Sequence, residues 1–484
     1  MGILFLGNHL RTLSITITMT TTAALAEYVC DLDWYRLPDA VRRIARQALF
    51  DGLCCMIAGA ETDLANAYRL ALAPPPHHDA LIVGAAEYTT AAAAAFHNAV
   101  AANALDFDDI AASGAHPGAT VIPAALAVAE RLKHRGVELL IALVAGYEAA
   151  LRVGEAIQPS PAQRTRVHGI GTSQVFGAAA AAGRLLGLGP VEMNHAFGFA
   201  ATLAPVPHGG KFGWGEATLS WVKDNVAWPA EAGVRAAHLA AAGLPATPNV
   251  LDGDTGFWRM AASDQWHPER ITAPGFQLET LGLKPYPCSR WLHPMLDALD
   301  MLLLDRDITP QNIAHVEVAT TTPMARISAN TAPRTLVDAQ YSAPHAIAMR
   351  LLGTPVDRWW WFQTRHDPTV NALMNRVTLT ATSAMDQYFL ALGHSAHRVP
   401  ARITVTLRNG KRRDAATDQA SGSPERRRLS DEVLCPRDSL LRVKYRTLVG
   451  NRLGADGALR LATAVEWLES GQVPALMETL FKLA

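Results

Sequence analysis

Residues Thr120 to Ile157 read TVIPAALAVAERLKHRGVELLIALVAGYEAALRVGEAI. Two helical stretches, Thr120 to Leu132 and Val137 to Ile157, meet at the basic turn Lys133-His134-Arg135-Gly136. Both are apolar most of the way round, and a helix of that kind belongs in an interior. Alanine supplies much of the apolar surface, which favours helix and lets neighbouring helices approach closely. The same texture extends from about Ala23 to about Gln277. Ala40 to Ala58 repeats apolar residues at helical spacing, and Ala91 to Leu105 interleaves Phe96 and Val100 with alanine. Gly171 to Leu186, Pro190 to Leu203 and Ala230 to Ala242 complete a large helical bundle.

The texture changes after Leu281. Ile313 to Thr320, Val377 to Thr382 and Arg402 to Leu407 alternate apolar and polar residues, the pattern of half-buried strands. The last of these runs into Asn409-Gly410, a strong hairpin signal. Helical patterns at Pro344 to Leu352 and Thr369 to Asn375 lie between them, so residues 282–429 read as an α+β unit. Arg408 to Arg428 is charged and poor in apolar residues, and reads as an exposed loop. From about residue 430 the chain turns helical again and is expected to return to the first domain. The fold class is therefore mainly α: a large all-helical domain, 1–281 and 430–484, carrying a smaller α+β insertion. Trp359-Trp360-Trp361 reads as the anchor of a loop or of a subunit contact.

Bulk properties exclude several classes. The 484 residues carry 43 basic and 44 acidic side chains, net charge -1, so no global field steers the chain to nucleic acid or an anionic membrane. No apolar stretch is long enough to span a bilayer. The five cysteines, Cys30, Cys54, Cys55, Cys288 and Cys435, form no CxxC and no even framework, which points to a cytoplasmic protein with buried thiols. The opening Met1 to Leu6 is apolar, but Asn8, His9 and Arg11 interrupt it and no basic segment precedes it, against a secretory signal. Residues 1–22 read as disordered or as preceding the true start, for which Met19 is the alternative. There is no GxGxxG after a strand, no Walker loop, no GxSxG and no HExxH.

Candidate chemistry concentrates in a few places. Leu105-Asp106-Phe107-Asp108-Asp109 sets three acids at the end of an Ala-rich helix, with Asp106 and Asp109 expected to share a helical face. Solvated acids are common at helix ends, yet the negative end of the macrodipole disfavours them there, so three hint at a task. Ser113 to Gly118 then makes a tight loop that brings His116 near them in sequence. His168 stands between Val167 and Gly169-Ile170-Gly171, ahead of a small-residue helix whose N-terminus suits an anion. Lys211, Lys223, Lys284 and Arg290 are cations in sequence otherwise poor in them, and a polycarboxylate ligand requires cations in a cleft. Most lysines and histidines serve only solvent or core, so no one of these decides the function alone.

Their ordered succession does more. NAVAANALDFDD at 98–109, His116-Pro117, Ile122 to Glu130, Gly146-Tyr147-Glu148, His168 with its glycines and Trp221-Val222-Lys223 follow one another. Ala241 to Pro245, Gly256-Phe257-Trp258, Lys284 to Ser289, Ala339 to Ser342 and Ile403 to Gly410 come after them. The series resembles the MmgE/PrpD family over nearly the whole chain from about residue 24. That family includes 2-methylcitrate dehydratases, cis-aconitate decarboxylases and an iminodisuccinate epimerase. The resemblance implies a helical domain with an inserted α+β lid, in a homodimer, and an active site between the two. It implies no organic cofactor and no metal.

It also implies site residues. The decarboxylase branch's aspartate falls on Asp106, its central histidines on His116 and His168, and its lysines on Lys223 and Lys284. Departures stand at substrate-facing positions: Ile110 for a threonine, Ser289 for a histidine, His345 for a tyrosine and Asn103 for a histidine. The loop around Lys211 differs too, and Lys211, Ile110, Ser289, Arg290 and His345 are the candidate substrate-binding set. The expected reaction moves a proton at carbon next to a carboxylate, with His168 as acid or base and the lysines holding developing charge. Asp106 would orient His116 or hold a substrate hydroxyl. The expectation is therefore a lyase on a small di- or tricarboxylate, dehydratase-like or decarboxylase-like. Its alternatives are an epimerase of an aspartate- or succinate-type diacid, a magnesium enzyme of terpene-synthase type using Asp106, Asp108 and Asp109, and a non-catalytic binding protein.

Overall fold

The computed structural model describes residues 19–164, 166–167, 170–207, 224–359, 364, 366–393, 395–437 and 439–483. His168, Lys211, Lys223, Trp360 and Trp361 lie outside the described residues.

The fold is mainly α. Helices Asp39–Gly59, Ala91–Asn103, Pro117–Arg131, Gly136–Ala156, Ile170–Leu185 and Ala227–Ala241 pack together as the bundle. Threonines start several helices: Thr90 Oγ1 accepts from the Ala93 amide and Thr62 Oγ1 from the Ala65 amide, each satisfying an orphan N–H of the first turn. One continuous core joins Val41, Phe50, Leu126, Leu140 and Leu143 to Leu441, Tyr445, Leu448, Leu461 and Leu480. The helices Ser439–Glu466 and Val473–Leu483 thus bury their apolar stripes against the first part of the chain.

A separate core lies between residues 286 and 407. Its four-stranded sheet has the order β4-β3-β5-β6, from β3 Ile313–Thr320, β4 Val377–Ala381, β5 Arg398–Leu407 and β6 Arg412–Gln419. β3 runs parallel to β4 and antiparallel to β5, and β5–β6 is a hairpin. Val316, Val318, Ile403 and Val405 form the buried face beneath helices His293–Leu302 and Ala343–Leu351.

Two expectations need correction. The helical region is not all-helical: β1 Pro76–Ile82 and β2 Glu87–Thr89 pair as an antiparallel ribbon. Prolines 74 to 76 cannot continue a helix, and Asn98 holds the ribbon, accepting from the Val83 amide and donating to the Leu81 carbonyl. The 408–428 stretch is not a loop throughout. β6 is a charged edge strand, and Ala420, Ser421 and Ser423 beyond it are buried. Trp359 does anchor its loop, donating to the Thr354 carbonyl and stacking on Tyr286. All five cysteines are free, with Cys54 and Cys55 fully buried and burial pushing both thiols well up. Among the described residues no helix is long and apolar enough to cross a membrane.

Candidate active site

The segment between helices Ala91–Asn103 and Pro117–Arg131 runs along the seam between the bundle and the C-terminal sheet unit. It is tied from the sheet unit at four points. Gln340 Nε2 donates to the Ala104 carbonyl (3.0 Å), and Lys284 binds Asp106. Ile110 and Gly282 exchange both backbone hydrogen bonds, and the Ala396 amide donates to the Ala112 carbonyl. A Cβ on Gly282 would collide with the His397 ring, so only glycine lets the chains come this close.

The helix stops at Asn103, and Asp106 takes a left-handed φ of 50°. That conformation is uncommon outside glycine, though Asp tolerates it better than most. Lys284 holds it there. Its ammonium donates to the Asp106 carbonyl oxygen at 3.0 Å and to Oδ1 at 2.9 Å, and both side chains are buried. Asp106 and Asp109 therefore do not share a helical face, contrary to the spacing argument: no helix covers them.

The neighbouring acids take different partners. His116 Nδ1 lies 2.9 Å from Asp108 Oδ2, and Asn103 Nδ2 donates to the same carboxylate at 3.2 Å. His116 Nε2 faces Asp224 Oδ2 at 3.9 Å. Burial acts against the charge of His116, but Asp108 and Asp224 outweigh it and the Lys284 ammonium, and the imidazole is held above its ordinary value. Burial likewise raises the Asp108 carboxyl, yet the His116 charge, its hydrogen bond and Lys284 carry it below the usual range. Both directions describe one buried imidazolium–carboxylate pair. Asp108 orients His116, while Lys284 holds Asp106.

Asp109 fixes the helix that His116 begins. Its Oδ1 accepts from the Gly118 amide at 2.9 Å and its Oδ2 from the Tyr147 hydroxyl at 2.5 Å. A Cβ on Gly118 would strike both partners. Burial raises the Asp109 carboxyl to about 7, against the opposing pull of the Tyr147 hydrogen bond. The Gln174 amide pairs with both backbone groups of His116 when its nitrogen faces Thr120 Oγ1 and the His116 carbonyl. From beneath, Lys444 on helix Ser439–Glu466 donates to Asp51 Oδ1 (2.5 Å) and to the Phe107 carbonyl (2.6 Å), fully buried. Two buried ammonium groups, Lys284 and Lys444, thus grip the consecutive carbonyls of Asp106 and Phe107.

Of the five residues singled out as catalytic, Asp106, His116 and Lys284 come together here, while His168 and Lys223 lie outside the described residues. Of the substrate-binding set, Ile110 is a buried backbone partner of Gly282, and the Ser289 amide donates to the Gln340 carbonyl next to the seam. Arg290 donates within its own unit, to the Ser421 carbonyl at 2.7 Å and Ser423 Oγ at 2.6 Å, and burial lowers it to about 10. His345 Nε2 pairs with Thr364 Oγ1 at 3.1 Å, and burial lowers it to about 4. Asp108, Asp109, Tyr147, Asp224 and Lys444 were not singled out for these roles. The only local signal for Lys444 is a lysine on the apolar stripe of Leu441, Tyr445 and Leu448.

The expectation was of no metal, yet among the described residues one group has the geometry to hold a metal ion. Asp106, Asp108 and His116 each offer a ligand atom, all within 4.8 Å of one another. The tight loop, invisible to linear spacing, makes the cluster. The Lys284 ammonium already supplies a cation to Asp106, and His116 turns one ring nitrogen to Asp108.

Comparisons with known proteins give the arrangement its context. The MmgE/PrpD N-terminal domain matches residues 23–269 and the MmgE/PrpD C-terminal domain residues 286–470. A cis-aconitate decarboxylase-like protein of Aspergillus oryzae is 26% identical over 492 residues, 94% of this chain and 97% of that protein. The cis-aconitate decarboxylase of Mus musculus is 25% identical over 404 residues, 80% of this chain and 78% of its own length. That of Homo sapiens is 31% identical over 173 residues, a stretch covering 35% of each chain. With both domain models matched in order over most of its length, the chain belongs to the MmgE/PrpD family.

Proposed function

We propose that this chain is a lyase acting on a small di- or tricarboxylate by proton transfer at a carbon next to a carboxylate, with His116 and Lys284 at the reaction centre. The observation that carries this reading is the meeting of two buried ion pairs, Lys284–Asp106 and His116–Asp108, at one seam. Buried charge is costly, and groups with shifted proton affinity gather where chemistry needs them. Relatives named cis-aconitate decarboxylases make a carboxy-lyase the first reading and a hydro-lyase the second.

Either reaction leaves an electron pair on carbon next to a carboxylate, and the Lys284 ammonium stabilises that enediolate-like charge. In a decarboxylation the bond to the departing carboxylate breaks, carbon dioxide leaves, and the pair takes a proton from the His116 imidazolium. In a dehydration a base removes the carbon-bound proton, the carbon–oxygen bond breaks, and His116 protonates the hydroxyl so that it leaves as water. His168 is the base in this scheme, and Lys211 and Lys223 hold carboxylates. Neither course needs an oxidant, a metal or an organic cofactor. Residues 282–429 act as a lid whose closure excludes water from the seam. The enzyme works as a cytoplasmic homodimer. An epimerase would require a second proton-transfer group on the opposite face.

The grouping of Asp106, Asp108 and His116 favours a magnesium or zinc centre as the rival reading. The ammonium on Asp106 opposes it, because a metal there would have to displace Lys284 from its carboxylate.

A panel of citrate-like, aconitate-like and aspartate-like acids, followed by proton NMR in heavy water, tests the function. One acid is expected to lose a carboxylate or water, with deuterium entering a single carbon. A panel in which no acid reacts or exchanges contradicts the proposal.

A further inference from the structure

Beside the seam lies a cavity of about 390 Å³. Glu155, Gln158, Arg164 and Arg270 contribute to its bundle side, and Leu390 and Ser395 to the opposite wall, from the sheet unit. A smaller cavity of about 60 Å³ shares Ser113, Gln158 and Arg164 with it. The inner one reaches Ala115, the residue before His116, and Thr172 and Ser173 in the first turn of helix Ile170–Leu185. Arg164 therefore stands in the common wall of both spaces.

Arg164 is positioned rather than free. Its Nη2 donates to the Ser113 carbonyl at 3.0 Å and to Gln158 Oε1 at 2.6 Å. Its Nη1 and Nε have no hydrogen-bond partner among the described residues. Neither Arg164 nor Arg270 is within ion-pairing distance of Glu155, the acid they share. Burial raises the Glu155 carboxyl while both arginines pull it down, and burial dominates. Two guanidinium groups against the single Glu155 carboxylate leave the cavity with an excess of positive charge. Planar guanidinium donors match a carboxylate's two oxygens.

We propose that this cavity is the approach chamber of the active site, where Arg164 and Arg270 hold one carboxylate of a small di- or tricarboxylate while its other end faces His116. The inference rests on the function proposed above and adds a second anchoring point to it. A chamber of this kind contributes to capture and orientation, so its residues act on KM and leave kcat nearly unchanged. The Glu155 carboxylate lowers the positive potential that the ligand meets, so its neutralisation acts in the opposite direction.

Calorimetry with tricarballylate, a tricarboxylate with no hydroxyl to lose, tests this on the full chain. Arg164→Gln is expected to weaken its binding about tenfold, as for loss of a hydrogen bond to a charged group. Arg270→Gln, at an exposed position, is expected to weaken it by about twofold to fivefold. Glu155→Gln is expected to tighten it, and Arg164→Lys to restore part of the loss. On a substrate that is turned over, the arginine variants raise KM with kcat within about twofold. Arg270→Gln changes only surface and keeps the test valid if Arg164→Gln fails to fold. Unchanged affinity in both arginine variants, or no binding by the wild type, overturns the chamber even where turnover persists. Binding that depends on Arg164 in a protein turning over no polycarboxylate would sustain the chamber and sink the proposed lyase instead.

Discussion

Replacing Lys284 by methionine keeps the length of the side chain and removes the ammonium that holds Asp106. At 2.9 Å, and with an effective dielectric constant of about 20, the pair attracts by about 6 kcal/mol. Desolvation of the two groups offsets most of that, so the useful quantity is the cost of leaving one charge buried without the other, about 3–5 kcal/mol. Lys284 is fully buried, so its removal carries a cost to the fold. Asp106→Asn makes the complementary single variant, and asparagine tolerates the left-handed φ of 50° found there. The double variant, with neither charge, should be less destabilised than the sum of the singles, by about 2–3 kcal/mol. Urea unfolding followed by circular dichroism on the wild type, both singles and the double closes the cycle. Additive effects, or a Lys284→Met variant within about 0.5 kcal/mol of the wild type, would refute the buried pair.

Three further outcomes follow from the same cluster. Asp109 has its folded value raised to about 7, so the folded state holds a proton that the unfolded chain releases near pH 4, and stability falls as pH climbs between those values. Asp109→Asn should abolish that decline, which is at most about 1.4 kcal/mol per pH unit, and an unchanged slope in a pH series of urea midpoints would contradict it. Lys444→Met should cost about 3–5 kcal/mol by leaving Asp51 buried without its ammonium, and Asp51→Asn in the same chain should recover part of it. Equal midpoints for the single and double variants would count against that. Dialysis against a chelator should leave turnover intact, and a loss restored by magnesium or zinc would transfer Asp106, Asp108 and His116 to a metal centre.

Much of the architecture can be read in the sequence because burial leaves a periodic trace. β3 begins and ends where its alternation does, and helix Asp39–Gly59 extends the apolar repeat of Ala40 to Ala58 by one residue at each end. β6 leaves no such trace: RRDAATDQ is an edge strand, paired on one side only, and its charges mimic a loop. β5 begins at Arg398, four residues before the alternation becomes visible, because Pro400 obscures its start. Around the site, His116 and the acids of 106–109 are neighbours in sequence, so their proximity follows from one tight loop. Lys444 meets Asp51 across 393 residues and Tyr147 meets Asp109 across 38. Pairings of that span depend on how whole helices pack, which no local pattern records. A positive φ at Asp106 also has no signature in a sequence without glycine there.

The most direct measurement follows deuterium from solvent into the accepted acid by proton NMR, for the wild type and for His116→Asn, with folding of both checked by circular dichroism. If His116 delivers the proton, the wild type places deuterium at one carbon, and the variant does so more slowly by roughly 10²–10⁴-fold, the usual worth of a general acid. A well-folded His116→Asn enzyme that labels the same carbon at the wild-type rate would contradict the account.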